Sequence, residues 1–183
     1  MEIDKFEKKI EEERNEKDNF FRVSFQSPLS SKEREKFIQL DYYPVNPDYY
    51  FELELKEYSE KEILEIQDTG GKQRKFLRWG EFRFEIGGEE QVLQAYKSSP
   101  DEDRLFVPFR DATSGTETYG AGRYLDLEST RDCTTDGKWI LDFNKAYNPW
   151  CAYSENYTCP FVPPENWLKV QIHAGEKKNP LKK

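Results

Sequence analysis

The sequence predicts a mainly β protein, α+β by content: an antiparallel β-sandwich or partly open barrel preceded by two N-terminal helices. The hydrophobic period changes from helical to two after Asp41, and about eight short alternating runs follow, divided by Gly- and Pro-rich connections. The 13 Phe, 11 Tyr and 4 Trp give the chain bulk enough to close a core although 35% of its residues are charged. A chain of 183 residues suits one folding unit that buries roughly 70% of the surface its extended form exposes. Within it, residues 1–40 read as a helical arm packed on an antiparallel body of residues 41–183.

Over residues 2–17, Ile3, Phe6 and Ile10 recur at helical spacing among Glu and Lys, so a narrow apolar stripe docks and the rest is solvated. Phe20, Phe21, Val23 and Phe25 collect in the next stretch. SPLSSKEREKFIQL then reads as a second helix, capped by Ser30 or Ser31, with Glu33 or Glu35 in its first turns and Phe37, Ile38 and Leu40 packing.

The prolines of DYYPVNPDYY break regular structure, after which Phe51, Leu53 and Leu55 alternate with Tyr50, Glu52 and Glu54. EILEIQD at 62–68 and KFLRW at 75–79 flank DTGGK, a hairpin turn where Gly70 and Gly71 can take positive φ. Phe82, Phe84 and Ile86 lead through Gly87-Gly88 to Val92, Gln94 and Tyr96 as a second hairpin. RLFVPF at 104–109, GAGRYLDLE at 120–128, KWILDF at 138–143 and WLKVQIH at 167–173 supply the remaining strands.

A net charge of −8, with basic residues mostly interleaved among acids, lacks the basic stripe a nucleic-acid backbone demands. The short EKKNPLKK tail at 176–183 and the separated Lys72, Arg74, Lys75 and Arg78 do not make one. No apolar run is long enough for a membrane span, and the charged N-terminus does not read as a signal peptide, so the expectation is a cytoplasmic protein.

The chemical inventory proceeds by exclusion. A single histidine, His173, rules out sites built on two or more imidazoles, and on its strand it reads as an exposed or merely hydrogen-bonded residue. Cys133, Cys151, Cys159 and His173 have the residue types of a Cys3His zinc site, but the spacing C-x17-C-x7-C-x13-H contains no CxxC knuckle, so no metal and no cofactor are expected. Cys151 and Cys159 read first as small side chains buried in a stiff loop. The alternative is a redox or disulfide pair; a bridge would constrain the unfolded chain by about 2.5 kcal/mol, and a reducing compartment opposes it.

Two polar stretches remain. DATSGTETYGAGR at 111–123 offers amides, hydroxyls and Arg123 suited to an anion, though it lacks the GK[ST] ending of a Walker loop and equally fits a hairpin turn at Ser114-Gly115. LDFNKAYNPWCAY at 141–153 places Asp142 on the face opposite Leu141 and Phe143, followed by Asn144, Tyr147, Asn148 and Tyr153. Such amides and phenols suit a small polar ligand or an internal network pinning a long loop.

These stretches carry a resemblance. The run Arg110, Asp111, Thr113, Gly115, Thr118, Tyr119, Gly122 and Arg123, the run Asp142 to Pro149, then Cys151 with Cys159-Pro160, Pro163 to Asn166 and Ala174 to Glu176 resemble the DUF1684 family, bacterial and archaeal proteins of unknown function. KDNFF, SPLSSKEREKF and LDYYPVNP are similar too, so the resemblance spans nearly the whole chain, and it implies no activity. The residues therefore support three classes of function. The first is a binding domain for a small polar or anionic metabolite held by Arg123, Tyr119, Thr113, Asn144, Asn148 and Tyr153. The second is a metal-independent hydrolase or lyase with Asp142 or Asp111 as base and Arg123 as electrostatic stabiliser. The third is an interaction protein docking through its N-terminal helix, a homo-oligomer if the partner is a second copy.

Overall fold

The computed structural model describes residues 2–182, so Met1 of the expected arm and Lys183 of the expected body and basic tail lie outside the described residues. Among these residues are two α-helices and seven strands: α1 (Ile3–Val23), α2 (Ser31–Lys36), β1 (Tyr50–Leu53), β2 (Lys56–Gln67), β3 (Gln73–Ile86), β4 (Glu89–Lys97), β5 (Leu105–Phe109), β6 (Arg123–Leu127) and β7 (Trp139–Asp142). The strands form a five-stranded antiparallel sheet, β2-β3-β4-β5-β6, and a two-stranded one, β1-β7. The fold is mainly β, two antiparallel sheets that do not close into a barrel, preceded by the helices.

Helix α1 runs six residues past the expected end at Asn19-proximal Lys17 because the apolar stripe continues: Phe6, Ile10 and Phe21 are buried on one face. Ile3, expected on that stripe, is 55% exposed, and Val23 at the end of α1 and Phe25 just beyond it are exposed as well. Helix α2 is shorter than its sequence suggested, since Phe37 already adopts extended backbone. Its cap is Ser30, in a reciprocal capping box with Glu33, while Phe37 and Leu40 pack and Ile38 faces out.

The hairpin signals read well. Gly71, Gly87 and Gly88 take positive φ, whereas Gly70 does not. KFLRW and Phe82 to Ile86 prove to be one strand, β3, irregular between Arg78 and Gly80. WLKVQIH is a correction: Ile172 is buried, Leu168 and Val170 pack on the core and Lys169, Gln171 and His173 face out as expected, yet the segment joins neither sheet. Its backbone instead meets the loop after β5, Leu168 donating to the Arg110 carbonyl at 2.7 Å and Ala112 donating to the Val170 carbonyl at 2.9 Å.

What holds that segment is Arg123, at the start of β6 and wholly buried. Its Nη2 donates to the Ile172 carbonyl at 3.0 Å and to Asp111 Oδ1 at 3.4 Å, and its Nη1 to the carbonyls of Ala174 and Glu176. Asp111 Oδ2 accepts from Ile172 N at 2.8 Å and from the Thr113 hydroxyl at 2.8 Å, which in turn pairs with the Thr118 hydroxyl. Two glycines make the close approach feasible. A side chain on Gly122 (φ +102°) would meet the Phe109 carbonyl at 2.6 Å, and one on Gly175 (φ +76°) the Ala146 carbonyl at 2.6 Å.

Removing the guanidinium strands a buried carboxylate and three carbonyls, so Arg123→Ala is expected to cost about 3–5 kcal/mol in urea unfolding. A cost typical of a surface site, under about 0.5 kcal/mol, would show that the buried pair does not hold the fold.

Candidate functional site

Helix α1 crosses the end of the body, and its packing stripe contains charge. Phe6, Ile10, Arg14, Lys17 and Phe21 follow at steps of four, four, three and four, so Arg14 and Lys17 point where the apolar residues point. Arg14 donates from Nη1 to the Tyr43 carbonyl at 2.9 Å and from Nη2 to the Asn144 carbonyl at 3.4 Å, its guanidinium lying 4.5 Å over the Tyr42 ring. Lys17 pairs with Glu176 Oε1, and Glu13 with Lys145 at 3.0 Å.

Under this roof lie three adjoining cavities of about 180, 330 and 320 Å³. Ile10, Arg14, Lys17, Tyr42 and Glu176 line the first; Asp126, Asp142 and Tyr147 line the second; Phe6, Tyr50 and Asp142 line the third. Lys145 lines all three, so its ion pair with Glu13 stands where they meet.

The floor comes from the run Asp142 to Asn148. Asp142 ends β7, and its Oδ1 accepts from Asn144 N at 3.0 Å and Asn144 Nδ2 at 2.9 Å, starting a short 3-10 turn. Asn144 also exchanges hydrogen bonds with the Asn46 backbone, each 2.9 Å, which satisfies its amide completely. Glu176 is a buried hub: Oε2 accepts from Asn148 N and the Tyr153 hydroxyl, both at 2.8 Å, while Oε1 takes Lys17.

Four buried polar atoms of cavity-lining residues have no hydrogen-bond partner among the described residues: Arg14 Nε, the Tyr42 hydroxyl, Asp126 Oδ1 and Asp142 Oδ2. Of these Asp126 Oδ1 is ion-paired with Arg104 at 3.4 Å, which leaves three without a partner of either kind. Burial lowers the pKa of Arg14, raises that of Tyr42 far above the phenol range, and raises that of Asp142. These groups can offer a guest one fixed N–H, a hydroxyl able to donate or accept, and a carboxylate oxygen.

The expected residues thus divide into two sets. Asp142 lines two of the cavities and Asn144 the other, while Asn148 and Tyr153 stand behind Glu176. Arg123, Asp111 and Thr113 sit apart in the buried pin, where the four Nη hydrogen bonds of Arg123 all go to the chain itself; the anion-pairing donors expected of it are already engaged. Tyr119 points elsewhere, its hydroxyl 3.8 Å from Cys151 Sγ. Cys133 bridges to Trp139 and His173 lies against Tyr43 and Glu117, so the Cys3His set does not gather. Among the described residues no cluster of three or more His, Cys, Asp or Glu could hold a metal. Sequence reading missed Arg14, Lys17, Tyr42 and Lys145; for Arg14 and Lys17 the signal was their place within the packing stripe of α1.

Fold and cleft together define the class: a two-sheet β protein whose N-terminal helix roofs a polar cleft. The chain belongs to the DUF1684 family, since the profile described as "Protein of unknown function (DUF1684)" matches residues 35–177. That span holds the whole floor, including Tyr42, Asp142, Lys145 and Glu176, but not helix α1. The chain is also similar to an uncharacterized protein of Haloarcula marismortui solved by solution NMR, at 37% identity over 96% of this chain and 95% of that one, with a TM-score of 0.72. No curated protein matches the sequence. Among the described residues no helix is long and apolar enough to cross a membrane.

The raised Asp142 pKa fixes a sign. The folded chain holds that proton more tightly than the unfolded one, so this group's contribution to stability falls as pH rises from the ordinary carboxylate range through the folded value. Asp142→Asn is therefore expected to raise the urea midpoint at pH 7, the advantage vanishing below about pH 4. A variant less stable than wild type at pH 7 would contradict the assignment of a buried, unpaired carboxylate oxygen.

Proposed function

We propose that the chain binds a small polar or anionic metabolite in the cleft beneath α1. The observation that carries this reading is the trio of unpartnered buried atoms, Arg14 Nε, Tyr42 Oη and Asp142 Oδ2, on residues lining adjoining cavities. Each unmet group costs about 1–3 kcal/mol, which a guest with matching groups recovers on binding. An acceptor or carboxylate belongs at the Arg14 and Tyr42 end, and a hydroxyl or amine at Asp142. The net charge of −8 supports a partner that is a metabolite rather than nucleic acid, and three free cysteines support a cytoplasmic setting.

A catalytic reading has one observation in its favour. Burial raises the pKa of two cleft carboxylates, Asp142 and Asp126, as a general base or acid near neutrality requires, and of the two Asp126 is already engaged by the Tyr147 hydroxyl and Arg104. Asp111, the other candidate base, is committed to Ile172, Thr113 and Arg123. In this reading Asp142→Asn abolishes turnover of a molecule that the variant still binds; retained turnover would remove Asp142 from the role.

Tyr42→Phe separates binding from folding, because it deletes one hydroxyl that holds nothing in the chain. Native mass spectrometry of protein from its own host should show a bound small molecule on the wild type. The variant should bind that molecule about tenfold more weakly, with an unfolding midpoint unchanged or raised. A wild type recovered without any small molecule, or a variant of equal affinity, would overturn the proposal.

A further inference from the structure

We propose that Cys151 and Cys159 form a peroxide-reactive thiol pair, with Cys151 as the attacking sulfur and Cys159 as the resolving one. The site lies apart from the cleft and does not rest on it. Cys151 sits in a 3-10 turn, Trp150–Ala152, that begins immediately after Pro149. Cys159 is fastened to the β2-β3 turn: Thr69 N donates to its carbonyl at 3.0 Å and its own N donates to Thr69 Oγ1 at 3.1 Å. The two thiols, with seven residues between them in the chain, are both half-buried and both free, and each is the strongest influence on the other's ionisation.

The surroundings favour a thiolate on one sulfur. Cys151 Sγ faces the Cys159 thiol, the Tyr119 hydroxyl at 3.8 Å and the Thr69 hydroxyl, donors from three separate segments. Tyr124 and Arg74 also face the pair, Arg74 being tied to Asp68 at 3.0 Å. Hydrogen bonding from Cys159 above all lowers the Cys151 pKa to about 6, while the same partnership pushes Cys159 up. Cys133 contrasts with both: burial, Asp132 and Asp103 raise its thiol.

The chemistry closes in two steps with hydrogen peroxide as oxidant. The Cys151 thiolate attacks the distal peroxide oxygen, the O–O bond breaks, and the departing oxygen leaves as water after taking a proton, giving Cys151 sulfenic acid. The Cys159 sulfur then displaces that hydroxyl, which leaves as a second water with the Cys159 proton. The product is a Cys151–Cys159 disulfide, the two thiols oxidised and the peroxide reduced.

The test treats the reduced full chain with hydrogen peroxide and maps its thiols by peptide mass spectrometry. Wild type and Cys133→Ser should lose two hydrogen atoms at the Cys151–Cys159 pair, and Cys159→Ser should accumulate sulfenic acid at Cys151, trapped by dimedone. A wild type that forms no such bridge, or whose Cys133 oxidises first, would overturn the proposal. Should Cys159→Ser fail to fold, competitive alkylation of the wild type decides: near pH 6, Cys151 should react with iodoacetamide about tenfold faster than Cys133. Equal rates would sink it.

Discussion

A single buried guanidinium organises the loops of this protein. Arg123 gathers the carbonyls of Ile172, Ala174 and Glu176 around one cation, and Asp111 both neutralises that charge and holds the Ile172 amide. Charge taken out of water is tolerable only when it is hydrogen-bonded and its sign is balanced. Here the chain engages both Nη groups and supplies the carboxylate, leaving Nε alone without a hydrogen-bond partner among the described residues. The C-terminal segment therefore needs no ladder of its own. It is attached to the body through a side-chain cage instead.

That attachment decides where Glu176 lies. Gly175, with its positive φ, presses against the Ala146 carbonyl, and Glu176 N donates to the same carbonyl at 2.9 Å. The Glu176 side chain is thereby fixed among Asn148, Tyr153 and Lys17, which ties helix α1 to the floor of the cleft. The two polar motifs thus differ in office: the Arg123 set holds the frame, and the Asp142 set faces space. A buried carboxylate hub at Glu176 joins them.

The hairpins were legible because period-two alternation and paired glycines act locally. The resemblance to the family was equally legible, for its motifs lie in the loops that build pin and floor. The segment Trp167 to His173 shows the limit, since alternation reports where side chains point and says nothing about where backbone hydrogen bonds go; Leu168 bonds to a loop, not to a strand. Arg123 shows another, because an arginine beside glycines and hydroxyls has one sequence signature whether its partners are carbonyls or an anion. Arg14 and Lys17 were hidden in EEERNEK, whose composition reads as solvated; only the buried residues on either side, Ile10 and Phe21, place them indoors.

Native-state hydrogen exchange tests the central claim that Arg123 makes the C-terminal segment part of the core. The amides of Ile172 and Glu176 should exchange only with global unfolding, at the same free energy as Leu125 in β6. Exchange of Ile172 and Glu176 through local opening, while Leu125 stays protected, would contradict it.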